Sequence, residues 1–433
     1  MLRAGLDDLS IVAFEKAFET LCGGDLGEIA EKSIEPVESL PEQGALTNQH
    51  LELGQKAQNQ CVLIKLNGGL GTSMGLQKAK SLLDVKNGLS FLDIVVRQAG
   101  RAGLPLALMN SFATEADTFA ATKSYEEDGA SLHFFRQSMA PKLNQSDLQP
   151  TVYEEQPDLE WCPPGHGEIY RALASSGMIN KLIAEGRRYA FISNSDNLGA
   201  TFNEKILGYM IEEKAPFLME VSVRTPLDRK GGHLAMRDGQ LILRERAQCP
   251  KEDLGDFEDI SKHRYFNTNN LWVDLHYIRD HVSSLHLPLI VNKKTVNPRD
   301  PQSTPVYQLE SAMGAVISCI EGAKALCVNK DRFAPVKTTN ELLVVRSDAY
   351  VLTEDERLVL AEETGGRLPV VHLDDRFYKT VDQLEERFPA GVPSLKNCRS
   401  LIVKGDVKFP KPCVLSGEQI IENQAATQMQ YLD

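Results

Sequence analysis

The chain has 433 residues, with 47 lysines and arginines against 60 aspartates and glutamates, which gives a net charge of -13. This acidic balance argues against an extended nucleic-acid-binding surface, and no apolar stretch approaches the ~20 residues that a membrane helix needs. The eight cysteines are scattered without a C-x-x-C pair, so they indicate neither a disulfide framework nor a zinc site. We therefore expect a cytoplasmic protein of two or three domains, with no nucleic-acid or membrane partner.

The amino-terminal segment, residues 1–45, is predicted to be a helical appendage. Apolar residues recur there at helical spacing, at Ile11, Phe14, Phe18 and Leu21. The pattern is interrupted at Gly23-Gly24, and a connector rich in proline and glutamate follows.

Residues 46–350 are predicted to form one large α/β domain. Short apolar strands alternate with helical stretches, which is typical of a mixed, mostly parallel sheet with helices on both faces. The predicted strands are 62–66, 106–109, 189–193, 217–223 and 342–345. The predicted helices are one that Ser90 caps and one over 169–183.

The last segment, residues 351–433, is predicted to be a small β-rich domain. Short β runs at 400–403, 405–407 and 413–417 are broken by glycine and proline at near-regular spacing. This spacing is typical of a β-solenoid.

The most informative stretch is a glycine-rich loop, Lys65-Leu66-Asn67-Gly68-Gly69-Leu70-Gly71-Thr72-Ser73-Met74-Gly75, which Lys80 follows five residues later. The apolar run before it predicts a buried strand that leads into the loop. Open α/β sheets bind ligands at the carboxyl ends of their strands, which is where this loop lies. Because glycines let a ligand approach main-chain N–H groups, the loop predicts a phosphate site beside a fixed cation.

Three kinds of glycine loop compete for this stretch. A P-loop is disfavoured, because no Gly-Lys-Ser/Thr follows Gly71 or Gly75 in register. The spacing G-x-G-x-x-x-G is one residue longer than the dinucleotide fingerprint, and no well-placed acidic residue follows about 20 positions later. An NAD-binding oxidoreductase stays open on that pattern alone. The third interpretation is a nucleotidyltransferase loop with Lys80 as its lysine and Lys78 as the nearest decoy.

Six motifs in order resemble the eukaryotic-type family of UTP:glucose-1-phosphate uridylyltransferases. After the loop at 66–80 come Met109-Asn110-Ser111-Phe112, Pro163-Pro164-Gly165-His166-Gly167-Glu168, Ser193-Asn194-Ser195-Asp196-Asn197-Leu198-Gly199, Phe266-Asn267-Thr268-Asn269-Asn270-Leu271-Trp272 and Pro335-Val336-Lys337-Thr338-Thr339. The loop departs from the family pattern, which commonly has Gly-Pro immediately before the lysine.

The resemblance implies a GT-A/Rossmann-like catalytic domain, a short left-handed β-helix at the carboxyl end, and synthesis of UDP-glucose from UTP and glucose 1-phosphate with Mg2+. It implies catalytic roles for Lys80 and Lys337, and a metal-binding role for Asp196. The residues implied in UTP binding are Leu66, Asn67, Gly68, Gly69, Gln137, Gly165 and Asp196. Those implied in sugar-phosphate binding are His166, Asn194, Asn269, Asn270 and Glu310, with the choice between Asn269 and Asn270 left open and His233 expected to be structural.

Other functions stay open at this point. One is the same chemistry with a different sugar 1-phosphate, although the N-acetylhexosamine relatives carry an arginine where this chain has Thr72-Ser73-Met74. Another is a non-catalytic regulatory paralogue that binds a UDP-sugar, which the presence of both lysines and the aspartate disfavours. The sequence allows a homo-oligomer without requiring one.

Overall fold

The elements of the computed structural model, which describes residues 1–425 and 427–432, alternate between strand and helix over most of the chain. The helices are α1 (Asp8–Cys22), α2 (Asn48–Ala57), α3 (Phe91–Ala102), α4 (Glu115–Glu127), α5 (Ile169–Ser175), α6 (Met178–Ala184), α7 (Glu204–Glu212), α8 (Leu254–Glu258), α9 (Leu275–His281), α10 (Thr339–Arg346), α11 (Asp375–Tyr378) and α12 (Val381–Arg387). The strands are β1 (Glu35–Pro36), β2 (Cys61–Asn67), β3 (Asp84–Lys86), β4 (Leu89–Ser90), β5 (Leu106–Asn110), β6 (Leu132–Arg136), β7 (Ala140–Pro141), β8 (Leu143–Asn144), β9 (Trp161–Cys162), β10 (Tyr189–Asn194), β11 (Phe217–Val223), β12 (His233–Arg237), β13 (Gln240–Arg244), β14 (Tyr265–Asp274), β15 (Ile290–Thr295), β16 (Pro305–Glu310), β17 (Lys324–Cys327), β18 (Tyr350–Leu352), β19 (Leu358–Leu360), β20 (Val370–Leu373), β21 (Ser394–Lys404), β22 (Val407–Lys408), β23 (Val414–Glu422) and β24 (Met429–Gln430).

A ten-stranded mixed sheet forms the centre of the molecule, with β2 flanked by parallel β10 and β5. β1, β13 and β14 run opposite to β2, and the other strands of this sheet run with it. The predicted mixed, mostly parallel sheet is confirmed.

Both faces of the sheet are covered, as the apolar composition of β2 requires. Cys61 and Leu63 belong to the core that includes side chains of α3, α7 and α10. Val62 and Ile64, which alternate with them, belong to a second core that includes side chains of α5, α6 and α9. The parallel arrangement brings the carboxyl ends of β2, β5 and β10 to one edge of the sheet, where the predicted site residues cluster.

The helix predicted to start at Ser90 is confirmed as α3. The Ser90 hydroxyl accepts from the Asp93 amide at 3.1 Å, and the Asp93 carboxylate accepts from the Ser90 amide at 2.8 Å. Such a capping box satisfies amide groups that a helix start leaves without partners.

Two element predictions are wrong. Residues 342–345 form part of helix α10 instead of a strand, and all four side chains from Leu342 to Val345 are buried. Thr338 and Glu341 form a capping box at the start of this helix. The continuous apolar run belongs to a helix that is buried on every side at 342–345. The helix predicted over 169–183 is two helices, α5 and α6, because Gly177 adopts a left-handed φ of 74° between them.

The amino-terminal segment pairs with the main sheet, and the carboxyl-terminal segment forms strand pairs of its own. In the segment 1–45, α1 ends at Gly23 and β1 pairs with β12 of the main sheet. In the segment 351–433, of which residues 426 and 433 are not described, β21 pairs in parallel with β20 and β23. β22 pairs in parallel with β24. The domain boundaries and the left-handed β-helix stay predictions. Within the described ranges, each helix is too short or too polar to cross a bilayer.

Candidate active site

The glycine loop folds back on itself at the end of β2. The Lys80 amide donates to the Gly69 carbonyl at 2.9 Å, which closes the loop and brings Lys80 beside its glycines. Lys78 is exposed. The loop therefore fixes the backbone of the lysine that the motif spacing favours.

Gly68 is a point of close approach. A Cβ at this position would lie 2.7 Å from Gln137 Nε2, so a side chain here would force the glutamine away. The Ser111 hydroxyl donates to the Gly68 carbonyl at 2.9 Å. Gln137 is buried directly after β6, and its side-chain amide lies against the main chain of the loop. An amide offers both a donor and an acceptor, which suits a pyrimidine edge.

Lys80 and Asp196 form an ion pair at the edge of the sheet where the carboxyl ends of β2 and β10 lie. Lys80 Nζ donates to Asp196 Oδ2 at 2.5 Å and to the Val336 carbonyl at 2.5 Å. Both side chains of the pair keep some solvent exposure, 17% for Lys80 and 19% for Asp196. Lys80 is thus bonded to the residue that directly precedes Lys337.

Lys337 is exposed, and its charge acts on two neighbouring side chains. Burial, together with the smaller effect of the charge of Lys337, lowers the pKa of His166 to about 4. Burial raises the pKa of Glu245, and Lys337 opposes that shift. Lys337 therefore acts electrostatically on His166 and Glu245, while the residue before it contacts Lys80.

Asp196 is the one carboxylate among the predicted residues placed for Mg2+. It follows β10, and its carbonyl accepts from the Val336 amide at 3.3 Å. Within the described part of the chain, no three His, Cys, Asp or Glu side chains group as a metal cage. A single carboxylate fits Mg2+, because this ion keeps several waters and takes further ligands from substrate phosphates. The donor set thus suits a metal that arrives with a nucleotide.

The Gly165-His166 loop is bound to the end of β16. Gly165 has a φ of 83°, and a Cβ there would lie 2.4 Å from the Ser311 carbonyl, so only glycine fits. His166 Nδ1 accepts from the Met313 amide at 2.9 Å, which places the proton of the neutral ring on Nε2. Glu310, half-buried at the end of β16, has its pKa raised by burial, against the Asn292 hydrogen bond and the Lys294 charge.

A family model described as UTP–glucose-1-phosphate uridylyltransferase matches residues 12–416. The chain belongs to this family. The uridylyltransferase of Saccharomyces cerevisiae is 41% identical over 368 residues, which is 83% of this chain and 73% of the yeast protein. The probable uridylyltransferase of Schizosaccharomyces pombe is 38% identical over 89% of this chain and 76% of its own length.

Solved structures of uridylyltransferase relatives have the same fold. The UDP-glucose phosphorylase of Trypanosoma brucei is 44% identical, with a TM-score of 0.92 over 100% of this chain and 95% of that one. A UDP-glucose pyrophosphorylase mutant of Leishmania major, solved in complex with UDP-glucose, is 42% identical with a TM-score of 0.91 over 100% and 95%. The family membership makes the chain a nucleotidyltransferase and removes the NAD-binding oxidoreductase.

Two neighbouring asparagines of this uridylyltransferase differ in what they can contact. Asn270 is 0% exposed. Its Nδ2 donates to Glu220 Oε2 at 3.0 Å, and its Oδ1 accepts from Asn197. Asn269 is half-buried, with a left-handed φ of 59° at an irregularity of β14. Asn269 is therefore the member of the pair that a ligand could reach.

The remaining predicted residues lie at the same edge of the sheet. The Leu66 carbonyl accepts from the Ser195 hydroxyl at 2.8 Å, which ties the loop to the segment before Asp196. Asn194, the last residue of β10, pairs with Leu66 and is half-buried. The Asn67 side chain is buried, and its Nδ2 donates to Asn110 and Thr118 at 2.8 Å each. Asn67 can offer a ligand its main chain but not these amide donors.

Two further residues of the site were not among the predicted ones. Ser111 fixes the Gly68 carbonyl, and the motif at 109–112 is the sequence signal for it. The charge of Lys337 lowers the pKa of Glu245, against the effect of burial. A Cβ at Gly232 would lie 2.5 Å from Glu245 Oε2. The sequence around Glu245 carries no comparable signal. His233 is 0% exposed and stacks on His263 at 3.9 Å, which fits a structural role.

Proposed function

We propose that this uridylyltransferase family member transfers the uridylyl group of UTP to glucose 1-phosphate and releases UDP-glucose and pyrophosphate. The observation that carries the proposal is the contact of Lys80 Nζ with both Asp196 and the carbonyl next to Lys337. This contact joins the cation that follows the glycine loop to one carboxylate and to the backbone beside Lys337, which supports a shared role for the two lysines. The relatives named for this reaction, and one solved with UDP-glucose, support it.

The nucleotide half of the site is proposed to hold UTP by its base and phosphates. Gln137 reads the uracil edge beside the main chain of Leu66 to Gly69, and Gly165 lies against the base or ribose. Close contact is supported by Gly68, where no Cβ fits beside Gln137. The rigid backbone around Lys80 then positions the α-phosphate for attack.

Charge neutralisation is the proposed source of rate acceleration. An oxygen of glucose 1-phosphate attacks the α-phosphorus of UTP in line, the bond to the β-phosphate oxygen breaks, and pyrophosphate leaves. Lys80 and Lys337 offset the negative charge that grows on the phosphoryl oxygens. Asp196 would hold Mg2+, which would supply further positive charge to offset the charge of the phosphates.

The sugar-phosphate half is proposed to consist of His166, Asn194, Asn269 and Glu310, with Glu245 added from the structure. His166 is neutral near pH 7 because burial lowers its pKa to about 4, so it donates an Nε2–H hydrogen bond and adds no charge. Asn269 is assigned to a sugar hydroxyl in place of Asn270, because Asn270 is fully buried.

The test is pyrophosphate release from UTP and Mg2+ with glucose, galactose and N-acetylglucosamine 1-phosphates, run with and without a chelator. We expect kcat/KM to be highest for glucose 1-phosphate by at least about tenfold, which is about 1.4 kcal/mol of discrimination. Equal rates with several sugars would remove the glucose assignment. Binding of UDP-glucose without any pyrophosphate release would favour the non-catalytic paralogue.

A cytoplasmic location is also proposed. All eight cysteines are free, and Cys61, Cys162, Cys249, Cys327 and Cys398 are buried. Reduced, packed thiols are typical of a reducing compartment. Fractionation of cells with an antibody to the chain would test this, and recovery in a secreted or organellar fraction would contradict it.

A further inference from the structure

A cavity of about 440 Å³ lies beside the face of β2 that carries Leu63 and Lys65. Its walls come from β2, α3, the segment 198–204 and the segment 355–359. None of the residues assigned above to UTP or the sugar phosphate lines it. The volume lies within the range of small-molecule sites in proteins.

A buried amide in this cavity has an unused acceptor. Gln98 of α3 is 8% exposed, and its Nε2 donates to the carbonyls of Leu198 at 3.2 Å and Glu356 at 2.9 Å. These two acceptors fix the orientation of the amide. Gln98 Oε1 is buried, and no described residue donates a hydrogen bond to it. A buried acceptor of this kind requires a donor from elsewhere.

A buried ammonium lines the same cavity with donor capacity left. Lys65 is 2% exposed, and its Nζ donates to Ser193 Oγ at 2.7 Å and to the Ala200 carbonyl at 2.9 Å. Burial lowers the pKa of Lys65 to about 7, and in the protonated form its three N–H donors leave one available beyond these two bonds. A hydroxyl group both donates and accepts, and one hydroxylated ligand could serve Gln98 and Lys65 together.

The charged groups around the cavity divide into paired and unpaired sets. Arg332 and Arg357 already form ion pairs with Glu220 and Asp355. Within the described residues, the side chains of Arg101, Glu204 and Asp331 make neither an ion pair nor a hydrogen bond. The two carboxylates suit further hydroxyl donors, and the exposed guanidinium of Arg101 suits a phosphate.

We propose that this cavity binds a phosphorylated monosaccharide as an effector, with its phosphate on Arg101 and its hydroxyls on Gln98 and Lys65. Val95, Leu198 and Phe202 give the apolar wall that the C–H face of a sugar needs. The ligand contacts the lysine that joins β2 to β10. These are the strands that lead to the glycine loop and to Asp196, so occupancy acts on the substrate site.

Calorimetric titration with glucose 6-phosphate tests binding, since this sugar phosphate lacks a phosphate on its anomeric carbon. The full chain is used with the substrate site saturated by UDP-glucose, and the variants are Arg101→Gln and, as a matched control, Arg299→Gln on an exposed loop outside the cavity. We expect one binding event that persists with UDP-glucose, is unchanged in Arg299→Gln and weakens at least about tenfold in Arg101→Gln. Loss of binding with UDP-glucose, equal binding by Arg101→Gln, or no binding at millimolar ligand each overturns the proposal.

Inorganic phosphate is the second probe, because it separates sugar recognition from an anion site. We expect it to bind at least about tenfold more weakly than glucose 6-phosphate. Equal affinities would show that the hydroxyls contribute nothing and would overturn the assignment of Gln98 and Lys65.

The effector role rests on the proposed function and is tested by kinetics. Glucose 6-phosphate is expected to change the KM for UTP at least about twofold in the wild type and not in Arg101→Gln. The same change in both proteins would place the effect at the substrate site and overturn the effector role. An inactive enzyme that still binds glucose 6-phosphate beside UDP-glucose would refute the proposed reaction instead of the cavity site.

Discussion

Two cation–carboxylate pairs lie close together in this protein and serve different purposes. Arg332 and Glu220 are 5% and 0% exposed, and Glu220 also accepts from Trp272 and Asn270. Lys80 and Asp196 are partly exposed, and the lysine shares its donors between the carboxylate and one carbonyl. The closed pair is a structural support, and the open pair is available to a substrate.

The same division separates neighbours along the chain. Asn197 belongs to the closed network, where its Nδ2 donates to Asn270 and the Arg332 carbonyl, while Asp196 beside it reaches Lys80. Asn270 and Asn269 divide in the same way. Asp196 and Asn269, which are proposed to contact ligands, therefore each directly precede an asparagine whose amide hydrogens are already bonded.

The largest expected effect is on stability, from opening the closed pair. Arg332→Met leaves Glu220 buried without its cation, which should cost about 3–5 kcal/mol in the free energy of unfolding. Arg136→Met is the control, because that arginine forms an exposed pair with Glu115, and exposed pairs contribute about 0–1 kcal/mol. Denaturant titration of both variants measures the difference, and equal losses would contradict the division into closed and open pairs.

The second effect is on catalysis, from removing the open cation. Lys80→Ala should lower kcat by about 10²- to 10³-fold, because the ammonium acts on charge that grows in the transition state. UTP binding and the unfolding free energy should change little. Lys78→Ala is the matched control and should stay within about twofold of the wild type, since side chains outside a site rarely alter it. Steady-state kinetics with UTP titration decides, and unchanged turnover in Lys80→Ala would remove its assignment.

The two asparagines give a smaller and more specific contrast. Asn270→Ala removes a buried partner of Glu220 and should cost about 1–3 kcal/mol in stability. Asn269→Ala should instead raise the KM for glucose 1-phosphate about tenfold with little loss of stability, as one hydrogen bond to substrate is removed. Unfolding and kinetics on both variants test this. A reversed pattern would mean that the sugar is contacted by Asn270.

The smallest effect is on the pH dependence of the unfolding free energy, to which His166 contributes. Its folded pKa of about 4 lies below its ordinary value of 6.5, so the unfolded chain takes up the proton first. His166 therefore supports folding fully above about pH 6.5, and this support is lost as the pH falls towards 4. Comparing unfolding at pH 7.5 and 5.5, His166→Gln should show a pH-dependent loss smaller than that of the wild type by up to about 1 kcal/mol. An identical pH dependence in both proteins would contradict the lowered pKa.

Much of the site could be predicted because its chemistry follows local patterns. The glycine loop, the lysine after it and the aspartate after β10 are set by short-range strand and turn preferences and by family motifs. The strand predicted at 342–345 is wrong because a helix buried on every side shows no apolar periodicity.

The other residues depend on tertiary structure. The choice between Asn269 and Asn270 follows from an irregularity in β14 that the sequence does not mark. The charge of Lys337 acts on Glu245 only because the fold brings distant segments together, so no spacing in the sequence reveals it.

Lys80 and Lys337 are proposed to act on the same phosphoryl group, and a double-mutant cycle measures whether they do. Single-turnover rates of pyrophosphate release are measured for the wild type, Lys80→Ala, Lys337→Ala and the double variant. Because both cations neutralise one charge, the double variant should lose less than the product of the single losses, with a coupling of about 1–3 kcal/mol. Losses that multiply without coupling would show that the two lysines act independently and would contradict the account.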